Sequence, residues 1–255
     1  MFRFFRAEMY RMSKDKSYKS LLIFFVVTAV LGAFSLKLTS DQFLVKTEFS
    51  SIVFILISSL VSSPMVIFCV SLSAYFNRDE KNISLAIGTG ISRYEISFIS
   101  LITTFIYSII CMLLPYTIFL LLGYIIFPTN AHWQDVFLLL RAIIYGIPVF
   151  TAYIIWIYIL AIFFKNKNIF SIFFTIYHLT IINILPLLLY KFENLRTIII
   201  NSLSYQIMKF RNFYQIIENG IYNPLRISIV GMVWLIAGII IIMIINRKRE
   251  YNKGK

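Results

Sequence analysis

The chain has 255 residues, of which 60% are hydrophobic and 14% charged, with a formal net charge of +13 and a mean hydropathy of +0.84. Soluble domains are about half apolar, so this composition describes an integral membrane protein and excludes a single soluble core. Sustained two-residue alternation is absent, which argues against a β-barrel, whereas several apolar runs reach the roughly 20 residues that cross a bilayer as a helix.

Residues 1–17 are predicted to form an interfacial helix. Phe2, Phe5, Met9 and Met12 recur at helical spacing while Arg3, Arg6, Arg11 and Lys14 lie largely elsewhere, the pattern of a basic amphipathic helix lying along a membrane surface. Its role is either lipid anchoring alone or contact with a partner. Ala33-Phe34-Ser35 resembles a signal-peptide cleavage site, but the basic region before it is long for a signal peptide, so no cleavage is expected.

Six spans are predicted, at about Tyr18 to Leu36, Ser50 to Phe76, Ile96 to Phe127, Val136 to Phe164, Ile169 to Tyr190 and Leu225 to Asn246. The fold class is therefore all-α, one transmembrane domain over residues 1–255. Spans three and four approach ~30 residues, enough to demand a tilt, a kink or an emerging end, and Pro115 and Pro148 are the expected kinks. Ser58, Ser59, Ser62, Ser63, Ser71 and Ser73 run through span two, which suits close helix packing better than a pathway lining.

Orientation follows from Lys and Arg near the span ends. With the N-terminus inside, the inner set contains the basic residues before span one, then Arg78, Lys81 and Arg93, Lys165 and Lys167, and the cluster from Arg247 to Lys255. It outnumbers the outer set by roughly two to one, which places both termini in the cytoplasm of a multi-pass cell-membrane protein. The positive charge is thus read as topology anchors meeting anionic lipid, with no nucleic-acid partner.

Few residues offer chemistry. Cys69 and Cys111 fall inside apolar spans and indicate neither a disulfide framework nor a metal site. His132 lies beside Trp133 in an outer loop, and His178, near Asn183 in span five, is read as a packing residue in preference to a proton relay. Gly88-Thr89-Gly90 lacks the third glycine and the βαβ setting of a dinucleotide turn, and no Walker-type phosphate loop is present. No catalytic, cofactor-binding or metal-binding residue is assigned.

Two polar stretches stand out. Residues 77–95 carry Asp79, Glu80 and Lys81 after span two, then apolar Ile83, Leu85, Ile87 and Ile91, turn-forming Gly88 and Gly90, and finally Ser92, Arg93 and Glu95 before span three. This reads as a short surface helix whose charges suit a cleft on a soluble partner, or as an ordinary charged loop. Residues 191–224 form an outer segment too long for a connector. Leu195, Ile198, Ile199, Leu203, Ile207 and Phe210 suggest an amphipathic or re-entrant helix, with a second piece around Phe213 to Ile217 before the Asn219-Gly220 turn. It is either a cap packed on the bundle or a lid over a pathway.

Taken with these stretches, the chain resembles the permease subunits of type-2 ATP-binding-cassette exporters. The layout matches nearly throughout, and the most specific local match is Gly90-Ile91-Ser92-Arg93-Tyr94-Glu95-Ile96, similar to the family's Gly-x-Ser-Arg leading into span three. The resemblance implies a half-transporter: a second permease chain, the same or related, completes the pathway, and separate nucleotide-binding ATPase subunits hydrolyse ATP with Mg. It further implies that residues 77–95 and the N-terminal helix touch the ATPase. The chain also looks like small Gram-positive permeases that expel amphipathic peptides, including staphylococcal phenol-soluble modulin exporters and lantibiotic-immunity pumps. An intramembrane enzyme and a peptide-sensing membrane protein are the alternatives.

Overall fold

The computed structural model describes residues 2–43, 49–76, 86–127, 133–164, 166–191, 194, 196–213 and 223–251, with backbone alone at 40–43, 181–183, 185–190, 212 and 248–251. These residues are helical with no strand among them. The long helices are α1 (Phe2–Lys14), α2 (Lys16–Phe43), α3 (Phe49–Ser59), α4 (Ser63–Phe76), α5 (Arg93–Ile126), α6 (Trp133–Phe163) and α7 (Lys167–Lys191). After them come two short pieces, α8 (Arg196–Ile200) and α9 (Leu203–Met208), and the last helix α10 (Leu225–Tyr251).

Five helical stretches among the described residues are long and apolar enough to cross a membrane: Lys16–Thr39, Phe49–Tyr75, Arg93–Ile126, Trp133–Phe163 and Leu225–Arg247. The region expected as the fifth span lies within the 25-residue α7, many of whose side chains fall outside the description. α1 ends at Lys14, and Asp15 separates it from α2. The Asp15 carboxylate accepts from the Ser17 and Tyr18 amides at 2.7 and 3.3 Å, an N-cap that starts α2 earlier than its apolar run alone suggests.

The second span is not one continuous helix. A 3₁₀ turn at Leu60–Ser62 divides α3 from α4. Pro64 explains the position: its nitrogen has no hydrogen to donate, and its ring crowds the carbonyl four residues earlier, at Leu60, which instead accepts from the Ser63 amide. The helix is uninterrupted at Pro115 in α5 and at Pro148 in α6, the two positions where kinks are expected from sequence.

Helices in lipid associate through close packing and hydrogen bonds, because the tails outside are as apolar as the side chains inside. The α6–α10 pair shows how close that contact is. A Cβ on Gly231 would lie 2.6 Å from the Val149 nitrogen, and one on Gly238 would lie 2.4 Å from the Ile155 Cγ2. The two glycines are two helical turns apart and let the backbones approach along one seam. Ser228 Oγ donates to the Tyr145 carbonyl at 3.0 Å and Trp156 Nε1 to the Trp234 carbonyl at 3.2 Å across the same seam.

The segment expected to lie on the outer side enters this bundle. Ile207, Phe210 and Phe213 are buried in the main core, where Phe210 packs 5.8 Å from Phe150 and Tyr145 lies 6.4 Å from Phe213. The 3₁₀ turn that follows α9, Lys209–Asn212, touches the one at Leu60–Ser62. Trp234 Nε1 donates to the Asn201 carbonyl at 2.7 Å. Trp234 lies about 14 Å along α10 at 1.5 Å per residue, close to half of a ~30 Å hydrocarbon core. The Ile200 carbonyl accepts from Gln206 Nε2 at 2.6 Å, the Ile199 carbonyl accepts from the Ser202 amide at 3.0 Å and Ser202 Oγ at 2.7 Å, and Ser202 Oγ accepts from the Tyr205 amide at 3.3 Å. Side chains thus satisfy the helix-end groups that lipid cannot.

Candidate functional site at the basic end of the bundle

Residues 86–95 build a two-sided joint from backbone geometry. Residues 86–88 make one helical turn. The Ile91 amide returns to the Ala86 carbonyl at 3.1 Å and the Gly90 amide to the Ile87 carbonyl at 3.0 Å, with Gly90 at φ +88°. That pairing is a Schellman end, which needs a left-handed residue and therefore favours glycine. One residue later the next helix starts. Ser92 is extended, its Oγ accepts from the Glu95 amide at 3.2 Å, and the Glu95 carboxylate accepts from the Ser92 amide at 3.0 Å. This reciprocal capping box fixes where α5 begins.

Gly90, Ser92 and Glu95, all expected as coupling residues, therefore shape the joint. What the joint presents outward is different. Gly88, Thr89, Gly90, Ser92 and Tyr94 are exposed, and no atom lies within 4 Å of a Cβ built on Gly88 or Gly90. Arg93 is partly exposed and makes no ion pair among the described residues. Asp79, Glu80 and Lys81 lie outside the described residues.

The joint is tied to two other helices within one turn. Ser97 Oγ donates to the Arg93 carbonyl at 2.9 Å and accepts from Tyr158 Oη at 2.7 Å and Asn246 Nδ2 at 3.2 Å. Ser97 and Asn246 are each 5% exposed. Charge-free hydrogen bonds of this kind contribute ~0.6 to 2 kcal/mol in membrane bundles, and here three helices, α5, α6 and α10, meet at one hydroxyl. The start of α5 is thereby hydrogen-bonded to the ends of both other helices.

α1 docks on the same end. Arg11 reaches the carbonyls of Ser73 and Ala74, at 3.4 and 3.1 Å, in the last turn of α4, where a cation complements the helix dipole. Its Nε pairs with Glu8 at 3.0 Å, and Tyr107 Oη donates to the Met9 carbonyl at 2.6 Å. Met12 is fully buried against Tyr18, Val70, Ala74, Tyr107 and Cys111, and Phe2 is 79% exposed. The four basic residues thus divide: Arg11 is spent inside the protein, Arg3 and Arg6 are exposed, and Lys14 is exposed with its ammonium 5.6 Å from the Tyr10 ring.

Ser97, Tyr158 and Asn246 escape a sequence reading because each is polar without being charged. The available signal is that Asn246 is the first polar residue after a long apolar run in α10. Among the described residues no group of His, Cys, Asp and Glu is arranged to hold a metal. His178 is buried with its ring stacked on Phe174 at 6.2 Å, which is a packing arrangement. His132 lies outside the described residues. Comparison with family models, with curated proteins and with solved structures finds no match for this chain.

Proposed function

We propose that this chain is the membrane-spanning permease subunit of an ATP-driven exporter that expels amphipathic or antimicrobial peptides. The observation that carries the reading is the joint at Gly88–Glu95: an open, conformationally defined turn at the bundle end, hydrogen-bonded to α6 and α10 through Ser97. Such a surface suits a soluble ATPase subunit that supplies force from ATP and Mg bound within itself. In this reading α7 is a sixth crossing helix, both termini are cytoplasmic, and the basic end faces the ATPase. Arg93 and Tyr94 offer a charge and an aromatic ring for the contact, while exposed Arg3 and Arg6 of α1 flank it or meet lipid. The exposed apolar faces of α2 and α7, including Phe24, Leu31, Ile172 and Ile176, leave room for a second permease chain.

The test is co-expression with candidate ATPase subunits followed by pull-down and by peptide uptake into inverted vesicles. ATP-dependent uptake, with Arg93→Glu abolishing ATPase capture while membrane insertion persists, supports the proposal. Capture unchanged by Arg93→Glu removes the assignment of this surface. Chemical conversion of the peptide without ATP indicates an intramembrane enzyme, and recovery of a kinase or regulator in place of an ATPase indicates a sensor.

A further inference from the structure

A cleft of about 260 Å³ runs between α5, α6 and α10, away from the segment that enters the bundle from the outer side. Its lining is almost wholly apolar, with Phe98, Leu101 and Phe105 from α5, Ile155 from α6, and Leu235 and Ile239 from α10. It is open on the bundle surface, where Tyr94 and Phe98 are each 42% exposed. Its α5 wall runs from Tyr94 to Phe105, eleven helical steps or about 16 Å, close to the depth of one leaflet of a ~30 Å hydrocarbon core.

The two ends of the cleft differ. Away from the basic face the lining is apolar except for Thr151, whose hydroxyl donates to the Ile147 carbonyl of its own helix at 2.7 Å, whereas the end at the basic face holds Tyr94 and Ser97, with Asn246 bonded to Ser97. Tyr94 has the amphipathic ring that settles at headgroup level. Arg93 precedes it on α5, partly exposed, and Arg247 follows Asn246 on α10, exposed. Neither arginine forms an ion pair among the described residues. Two guanidinium-bearing residues without an ion pair among the described residues thus adjoin, in chain position, the polar groups at the mouth of a slot one leaflet deep: Arg93, whose carbonyl accepts from Ser97, and Arg247, next to the Asn246 that donates to Ser97. Guanidinium is the side chain that best matches a phosphate.

We propose that this cleft binds one anionic phospholipid, with an acyl chain along Phe98, Leu101, Phe105 and Ile239 and the headgroup phosphate between Arg93 and Arg247. The lipid bridges α5 and α10 at the level of the Ser97 junction and so holds the joint at residues 88–95 in one setting. The proposal uses only the membrane character of the chain and stands apart from the export reading.

The test is native mass spectrometry of the full-length chain, purified without any ATPase and exchanged into an equimolar mixture of phosphatidylglycerol and phosphatidylcholine. One tightly retained phosphatidylglycerol is expected. Arg247→Gln lowers its retention about fivefold, Arg93→Gln with Arg247→Gln brings the two lipids to parity, and the double lysine variant keeps the preference. Ile239→Trp, which fills the slot, reduces retention of both lipids. Equal retention of the two lipids by the unaltered chain overturns the proposal, as does a preference that survives the double glutamine variant. A dimer without bound lipid assigns the cleft to a second copy and overturns it as well. ATPase capture is absent from every readout, so this result and the fate of the coupling surface are separately visible.

Discussion

Arg11→Met offers the most direct test of how the N-terminal helix is held. The guanidinium lies 3.0 Å from Glu8 Oε2 and caps two carbonyls of α4 at 3.1 and 3.4 Å, and the two side chains are 23% and 8% exposed. An exposed ion pair contributes ~0 to 1 kcal/mol, whereas removing one partner of a buried pair costs ~3 to 5 kcal/mol. The arginine is partly wet and one of its carbonyl contacts is long, so about 2 kcal/mol is expected, with Met keeping the aliphatic packing. That corresponds to about a 30-fold rise in the population of undocked α1. Hydrogen–deuterium exchange of the purified chain reads this directly as faster exchange of amides 8–14, with α5 and α6 unchanged. Exchange within about twofold of the unaltered chain refutes the docking argument.

Other substitutions probe the joint and the helix seams. Gly90→Val forces a β-branched residue to φ +88° and should lower thermal stability by about 1 to 2 kcal/mol, whereas Gly88→Ala, in a helical turn with open space, should be neutral in the same melt. Ser92→Ala removes the α5 cap at a cost of about 1 kcal/mol and Ser92→Thr retains it, to be read from exchange rates at residues 93–96. Gly231→Leu places a side chain against the Val149 backbone, which cannot yield as a side chain can, so a broad, aggregated size-exclusion profile is expected; Gly32→Ala, which meets only the Phe119 ring at 3.2 Å, should elute normally. Phe210→Ala leaves a cavity beside Phe150 and Phe213 and should cost about 3 kcal/mol in thermal unfolding, and an unchanged melt would show that residues 203–213 do not pack as described.

The long helices were legible because their signal is local. Apolar runs bounded by charge set where α2, α5, α6, α7 and α10 lie, and each is found within a few residues of its expected ends, except that α2 continues to Phe43 and α10 to Tyr251. The start of α5 has an equally local cause, since Ser92 and Glu95 stand three apart and need only each other, yet it lies three residues before the Ile96 expected from hydropathy. Kinks were expected at Pro115 and Pro148 and none at Pro64; the three look the same in sequence, and only the break at Leu60–Ser62 distinguishes them.

The sequence by itself determined that this is a helical membrane protein, which stretches form its long helices, and that positive charge gathers at particular helix ends. Those properties follow from hydropathy and short-range hydrogen bonding, which act within a few turns of chain. Only the tertiary structure decided that Arg11 is consumed by α4, that Ile207, Phe210 and Phe213 enter the bundle core, and that Ser97 joins α5 to Tyr158 and Asn246. In lipid an apolar residue gains little by choosing a neighbouring helix over a lipid tail. Helix partners are therefore set by small-residue contacts such as Gly231 on Val149 and by single hydroxyls, amides and guanidiniums that must find partners far away in the chain.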